Sequence, residues 1–210
     1  MARIPYPEHD AHVVSRLPAP LNAFRMLSHA EPLTGPAIDL GLAILSQTEL
    51  PPRLRELAIM AVASWTGCDY ETVQHTPIAL DCGITAAQLR ILATTAPGNW
   101  AEPLPGNRAE PGSNPQPGPF SPADHALLTA TAEILLRRTV SPYTLDRLRE
   151  HLTPRQSVET IITVGYYAML AGLMNGLAID IDPLGEHFIP LSNHRTVAAA
   201  TGGRPGDIPA

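Results

Sequence analysis

Four side chains able to carry protons or bind metal fall in one stretch, residues 52–83 (PRLRELAIMAVASWTGCDYETVQHTPIALDCG): Glu56, Cys68, Glu71 and His75. Glu56 sits in an apolar run, where a carboxyl is either paired with a cation or keeps its proton. Arg53 and Arg55 are its nearest cations in the chain. Glu71 and His75 are four apart, so on a helix they share a face, and Glu71 is expected to orient His75 and raise its basicity. A cysteine in the first turn of a helix meets unpaired N–H groups that favour the thiolate. The set therefore offers proton transfer or thiol chemistry. Each residue also has a purely structural reading. Glu56 can serve an ion pair, His75 a satisfied core, Cys68 simple apolar packing, and Glu71 only its i,i+4 partner.

Metal binding is a weaker use of the same residues. Zinc takes three or more protein ligands, and only Glu71, His75 and Cys68 lie close enough along the chain. The remaining histidines, at 9, 12, 29, 125, 151, 187 and 194, show no ligand spacing, so no metal and no cofactor are expected. Cys82 follows Cys68 by fourteen residues. At ~1.5 Å per residue the two stand ~21 Å apart on one helix and cannot form a disulfide.

The elements that must hold these groups are helical. Pro51-Pro52 opens a helix running to Trp65, apolar on most sides and hence buried. Thr66-Gly67-Cys68-Asp69 marks a break and restart, with Thr66 as the expected cap and Asp69 closing a capping box. The second helix ends at Gly83. Upstream, residues 22–30 and 36–46 suit two short helices separated by Gly35-Pro36. Downstream, Thr85/Gln88, Ser121/Asp124 and Thr153/Gln156 are capping boxes, and Ser141-Pro142 starts a further helix. The helix after Thr153 is the most apolar of the chain and is expected to be central. No segment alternates with period two, which predicts an all-α single domain of roughly eight helices over residues 21–182. Residues 1–20 form an extended arm and 183–210 a tail. Residues 96–120, crowded with Pro, Gly and Asn, form an insertion or a flap anchored by Trp100.

Composition narrows the function. The net charge is −6, all fourteen cations are arginine, and no basic cluster stands out, which argues against nucleic acid. No apolar run is expected to reach the ~18–20 residues of a membrane span. The first residues, MARIPYPEHD, lack a signal-peptide core, so a cytoplasmic protein with reduced cysteines is expected.

The central stretch resembles the carboxymuconolactone decarboxylase family, which includes the alkylhydroperoxidase D-like proteins. The matching residues are Leu50-Pro51-Pro52-Arg53-Leu54-Arg55-Glu56-Leu57, then Thr66-Gly67-Cys68-Asp69-Tyr70-Glu71, then His75, within a likeness over roughly residues 5–182. The peroxidase branch carries Glu, an eleven-residue gap, and Cys-x-x-Cys-x-x-x-His. Here Glu71 occupies the second cysteine position, which removes the dithiol. The resemblance implies a helical bundle of the alkylhydroperoxidase D-like type, assembled as trimers or hexamers with sites near subunit interfaces. It implies Glu56, Cys68, Glu71 and His75 as catalytic candidates, with Trp65, Tyr70 and Tyr166 as candidate pocket walls. The activity expected first is acid–base decarboxylation or isomerisation of a small carboxylated lactone or related enolisable acid. A thiol redox enzyme using Cys68 and a non-catalytic oligomeric binding protein are the alternatives.

Overall fold

The structure, a computed structural model, describes residues 1–15, 17, 19–100 and 118–182. All regular structure among them is helical. A single turn α1 (His12–Ser15) precedes eight longer helices: α2 (Asn22–Leu27), α3 (Glu31–Ser46), α4 (Pro52–Thr66), α5 (Asp69–Asp81), α6 (Ala86–Thr94), α7 (Pro122–Arg137), α8 (Pro142–Arg149) and α9 (Pro154–Leu177). Ser28–Ala30 and Pro97–Asn99 are 3₁₀ turns.

The centre is α4, not α9. Every residue from Leu54 to Ala63 is buried, and α5, α6, α7 and α9 all pack on it. Ala58, Ala61 and Ala63 let those neighbours approach, while Leu57, Ile59 and Met60 fill the space between. Burying a side chain of that size contributes about 1.5–3 kcal/mol. The expectation of a central helix after Thr153 is corrected accordingly, because α9 buries one side and leaves Val158, Ile161, Ile162 and Met169 exposed. By length and hydropathy α9 does reach the size of a membrane span, contrary to the expectation from the sequence. Half of its apolar window is buried within the molecule.

Side-chain caps fix the starts of the last four helices. Thr85/Gln88, Ser121/Asp124 and Thr153/Gln156 form complete capping boxes, and Ser141 accepts from the Thr144 N–H. Such caps contribute about 1 kcal/mol each. Asp124 has a second role, because Arg53 at the head of α4 donates to both its oxygens at 2.6 and 3.0 Å. Burial opposes its ionisation, yet Arg53 and the Ser121 N–H outweigh it and hold the carboxyl below its ordinary range.

Two expected boundaries differ. Gly35-Pro36 does not break the chain, and α3 runs through both from Glu31 to Ser46. Pro36 and Pro32 both lie on the exposed side, where water can take the carbonyl left without an N–H. Thr66 does not cap α5. It closes α4, its hydroxyl donating to Val62 O at 2.7 Å, and Gly67 then reverses the chain at φ 62°, a conformation glycine adopts at no steric cost. Cys68 is the residue that precedes α5, with no side-chain cap.

The first residues lie along the molecule's own surface. The Arg3 N–H donates to Leu177 O at 2.7 Å, Tyr6 Oη bonds Asp180, and Arg25 pairs with Asp10 at 3.2 Å. Of the expected insertion, Trp100 is within the described residues; 101–117 and the expected tail 183–210 are outside them.

Candidate functional site

The site is built on the α4–α5 hairpin. Glu56 projects from the second turn of the buried α4 and is itself fully buried. The reversal at Gly67 lays α5 along α4 and brings His75 onto the glutamate, Nδ1 to Oε2 at 3.0 Å. A carboxylate can only accept, so Nδ1 carries the hydrogen and Nε2 is left as the basic nitrogen. Arg55 donates from Nε to the other oxygen, Oε1, at 3.2 Å, and from Nη1 to Leu45 O at 2.9 Å. The guanidinium supplies the positive charge that a buried carboxylate needs. The chain Arg55–Glu56–His75 thus runs from the interior outward, ending at a ring that keeps 12% of its surface. Tyr167 of α9 sets its ring edge-on to the imidazole at 5.0 Å and holds its plane. Arg55 Nη2 is buried without a partner.

Glu71 does not orient His75, although it sits one helical turn away. Its carboxyl turns into the interior, fully buried, and neither oxygen has a hydrogen-bond partner. Burial alone pushes its pKa up to about 8, so it is neutral at pH 7. Glu56 takes the orienting role in its place.

Cys68 is also removed from the dyad. It is fully buried with Sγ 3.7 Å from Met174 Sδ. Burial pushes its thiol up to about 11, outweighing the backbone N–H groups of Glu71 and Tyr70. The thiolate expected from the helix start is therefore not favoured. Cys82 is free as well, and partly exposed.

The three expected pocket residues are held elsewhere. Trp65 lies nine residues beyond Glu56 on α4, donates to Thr95 O at 2.9 Å, and packs against Trp100 with centroids 6.1 Å apart. Trp100 in turn meets Phe120 and His125 at 5.3 and 5.5 Å, so its anchoring role is to this aromatic cluster. Tyr70 donates to Asp182 in the interior, and Asp182 also accepts the Asn22 N–H. Tyr166 is nearer, with its ring 5.4 Å from Tyr167, but its hydroxyl donates to Ala37 O at 3.0 Å. It leans on Gly41, where a Cβ would overlap the hydroxyl.

The chemical set brought together is Arg55, Glu56, His75 and Tyr167. Arg55 and Tyr167 extend the expected site. Arg55 had a signal, being the cation next to Glu56 in sequence. Tyr167 had none beyond its place in the apolar run of α9. Among the described residues no group of three or more His, Cys, Asp or Glu is arranged to hold a metal ion.

Residues 37–102 match the model of the Carboxymuconolactone decarboxylase family. That match spans the segment that carries the dyad. No curated protein matches the chain. Among solved structures, the alkylhydroperoxidase AhpD core of an uncharacterized peroxidase-related protein from Ralstonia eutropha superposes with a TM-score of 0.63 at 16% identity, covering 86% of this chain and 92% of that one. A protein of unknown function from Agrobacterium tumefaciens, named a putative antioxidant defence protein AhpD, gives 0.57 at 14% identity, covering 74% and 95%. At such identities these likenesses establish the fold, an all-helical AhpD-like bundle. The family segment, 37–102, contains Arg55, Glu56, Glu71 and His75, while Tyr167 reaches the dyad from outside it.

Proposed function

We propose that the chain is an acid–base enzyme in which His75 moves a proton to or from carbon in a small carboxylated lactone or related enolisable acid. The observation that supports this most is the His75 Nδ1–Glu56 Oε2 bond at 3.0 Å, which sets the tautomer and leaves Nε2 for chemistry. In decarboxylation the bond between carbon and the carboxylate breaks, and its electron pair passes into the adjacent carbonyl as an enolate. The imidazolium of His75 then donates the Nε2 proton to carbon, yielding CO₂ and the protonated product, and His75 regains a proton from solvent. Glu56 stabilises the imidazolium before it donates, and Arg55 holds the other oxygen of Glu56. An isomerisation uses the same base and acid without loss of CO₂. Glu71 and Cys68 take no part in the transfer.

A carboxylated muconolactone is the first substrate to offer, with loss of the carboxylate followed by released CO₂. His75→Gln retains a hydrogen-bonding amide beside Glu56 and keeps the fold by circular dichroism, yet lowers kcat on the order of 10²-fold or more. Near wild-type kcat in that variant removes His75 from the mechanism.

The names of the two solved relatives favour a second reading, thiol-dependent reduction of an organic hydroperoxide. Against it stand the single buried Cys68 and the glutamate in the second cysteine position. Steady hydroperoxide turnover with a dithiol, abolished by Cys68→Ser, would move the assignment to that reading.

A further inference from the structure

Enolate formation puts negative charge on the substrate's carbonyl oxygen, and that charge needs hydrogen-bond donors aimed at it. His75 is not one of them, since Nδ1–H is committed to Glu56 and Nε2 delivers its proton to carbon. The ring packed on the imidazole, at 5.0 Å, is that of Tyr167. Tyr167 is buried, yet its hydroxyl has no partner among the described residues. The other buried tyrosines differ, because Tyr166 donates to Ala37 O and Tyr70 to Asp182. One turn before Tyr167 on α9, Thr163 is fully buried and its Oγ1 also lacks a partner. Threonines inside these helices commonly donate to the carbonyl four residues back. Thr160 does so to Gln156 O, Thr131 to Leu127 O and Thr72 to Cys68 O, at 2.8, 2.8 and 2.9 Å. Thr163 does not, so its donor is unspent.

The packing of α9 on α4 sets both hydroxyls at the level of the dyad. The Leu50 N–H donates to Glu159 Oε2 at 2.8 Å, and Asn175 Nδ2 donates to Thr66 O at 2.9 Å, each pair 109 residues apart. The two helices therefore run parallel, with Thr163 level with Leu54 and Tyr167 level with Ala58, on either side of Glu56. Arg55, whose Nη2 is a third unspent donor, stands at the same level. We infer that Tyr167 and Thr163 form the oxyanion site of the proton-transfer reaction, their hydroxyls donating to the substrate carbonyl on which the enolate develops. This rests on the acid–base reading above. As the bond to the carboxylate breaks, its electron pair moves onto the carbonyl oxygen, where both hydroxyls hold it. As carbon takes the Nε2 proton of His75, the carbonyl re-forms. Neither hydroxyl gives up its proton. Burial above all raises the Tyr167 hydroxyl well beyond its ordinary value, so it stays a donor. The site selects an acid whose carbonyl lies beside, or is conjugated with, the carbon that loses the carboxylate.

The test pairs turnover of a carboxylated muconolactone with binding of 4-nitrophenolate, both on the full chain at pH 7. The phenolate oxygen carries delocalised charge as an enolate does, and its visible absorbance reports hydrogen bonding. Tyr167→Phe keeps the ring against His75 and removes only the hydroxyl, so a role confined to holding the imidazole in plane predicts no change. The expected result is a fall in kcat of about 10²–10³-fold at nearly unchanged KM. Phenolate binding weakens on the order of tenfold or more, with helix content unchanged. Thr163→Val, of the same shape, lowers both on the order of tenfold. Wild-type kcat in Tyr167→Phe overturns the proposal, and so does undiminished phenolate binding in that variant. A wild-type protein that binds no phenolate overturns it as well. If the wild type leaves the lactone intact but binds phenolate, and Tyr167→Phe loses that binding, the oxyanion site stands and the assigned decarboxylation falls.

Discussion

Glu56 and Glu71 are glutamates of one helical hairpin, both fully buried, fifteen residues apart in sequence. Glu56 has a guanidinium on one oxygen and an imidazole on the other. Glu71 has no partner on either oxygen. Burial is the same in both cases, so burial does not decide what a carboxyl does; its neighbours decide. Glu56 is a carboxyl held on both oxygens and aimed at His75. Glu71 is a neutral acid at pH 7 that ionises only near pH 8, with burial as the sole cause.

The largest expected consequence of this difference is in stability. Glu56→Ala strands the buried Arg55 guanidinium, and loss of one partner of a buried pair costs about 3–5 kcal/mol. Glu71→Leu replaces an unpartnered polar group with an apolar one of similar size, which is neutral or stabilising by about 1 kcal/mol. Urea unfolding at pH 7 reads both. Equal destabilisation by the two variants would break the comparison.

The next effect is pH dependence. An unfolded glutamate releases its proton near pH 4.5, whereas Glu71 keeps its proton to about 8 in the fold. Between those values the unfolded state binds fewer protons than the native state, so Glu71 makes stability fall as pH rises, and the loss levels off above about 8. The full change is on the order of a few kcal/mol. Urea midpoints measured across that window should decline in the wild type and flatten in Glu71→Gln. An unchanged slope would show that Glu71 finds a partner in solution.

The smallest effect concerns the thiols. Cys68 lies in the same hairpin, closed off and pushed up to about 11 by burial first of all. Cys82, at the end of α5, is partly exposed. Iodoacetamide at pH 7 should label Cys82 in the native protein and reach Cys68 only on unfolding, as peptide mass mapping would show. Rapid native labelling of Cys68 would place it with the reactive groups after all.

Most of the scaffold could be anticipated because local chemistry dictates it. Ser121-Pro122 and Asp124 form a helix start wherever they occur together, and the structure keeps that start. The burial of α4 followed from its apolar circumference. The failures arise where a distant contact outweighs a near one. Glu71 is one turn from His75, yet His75 bonds Glu56, because the packing of α5 on α4 places that oxygen closer to the ring. Tyr167 is 92 residues beyond His75 and meets it only because α9 lies against both helices of the hairpin. The exposed side of α9 was concealed by composition, since an apolar run reads alike whether it faces a core or a surface.

The reversal at Gly67 also bears on the order in which the protein assembles. The His75–Glu56 bond closes a loop of only 19 residues, whereas the Tyr70–Asp182 bond from the same helix closes one of 112. Loop-closure entropy rises as the logarithm of length, so the longer closure costs about 1.5 kcal/mol more. The dyad is therefore a contact of low sequence separation that can form with the hairpin, before the ends of the chain are gathered. Chain breaks or permutations outside the hairpin should spare its formation, and the unit that carries the proton chemistry is also the one cheapest to fold.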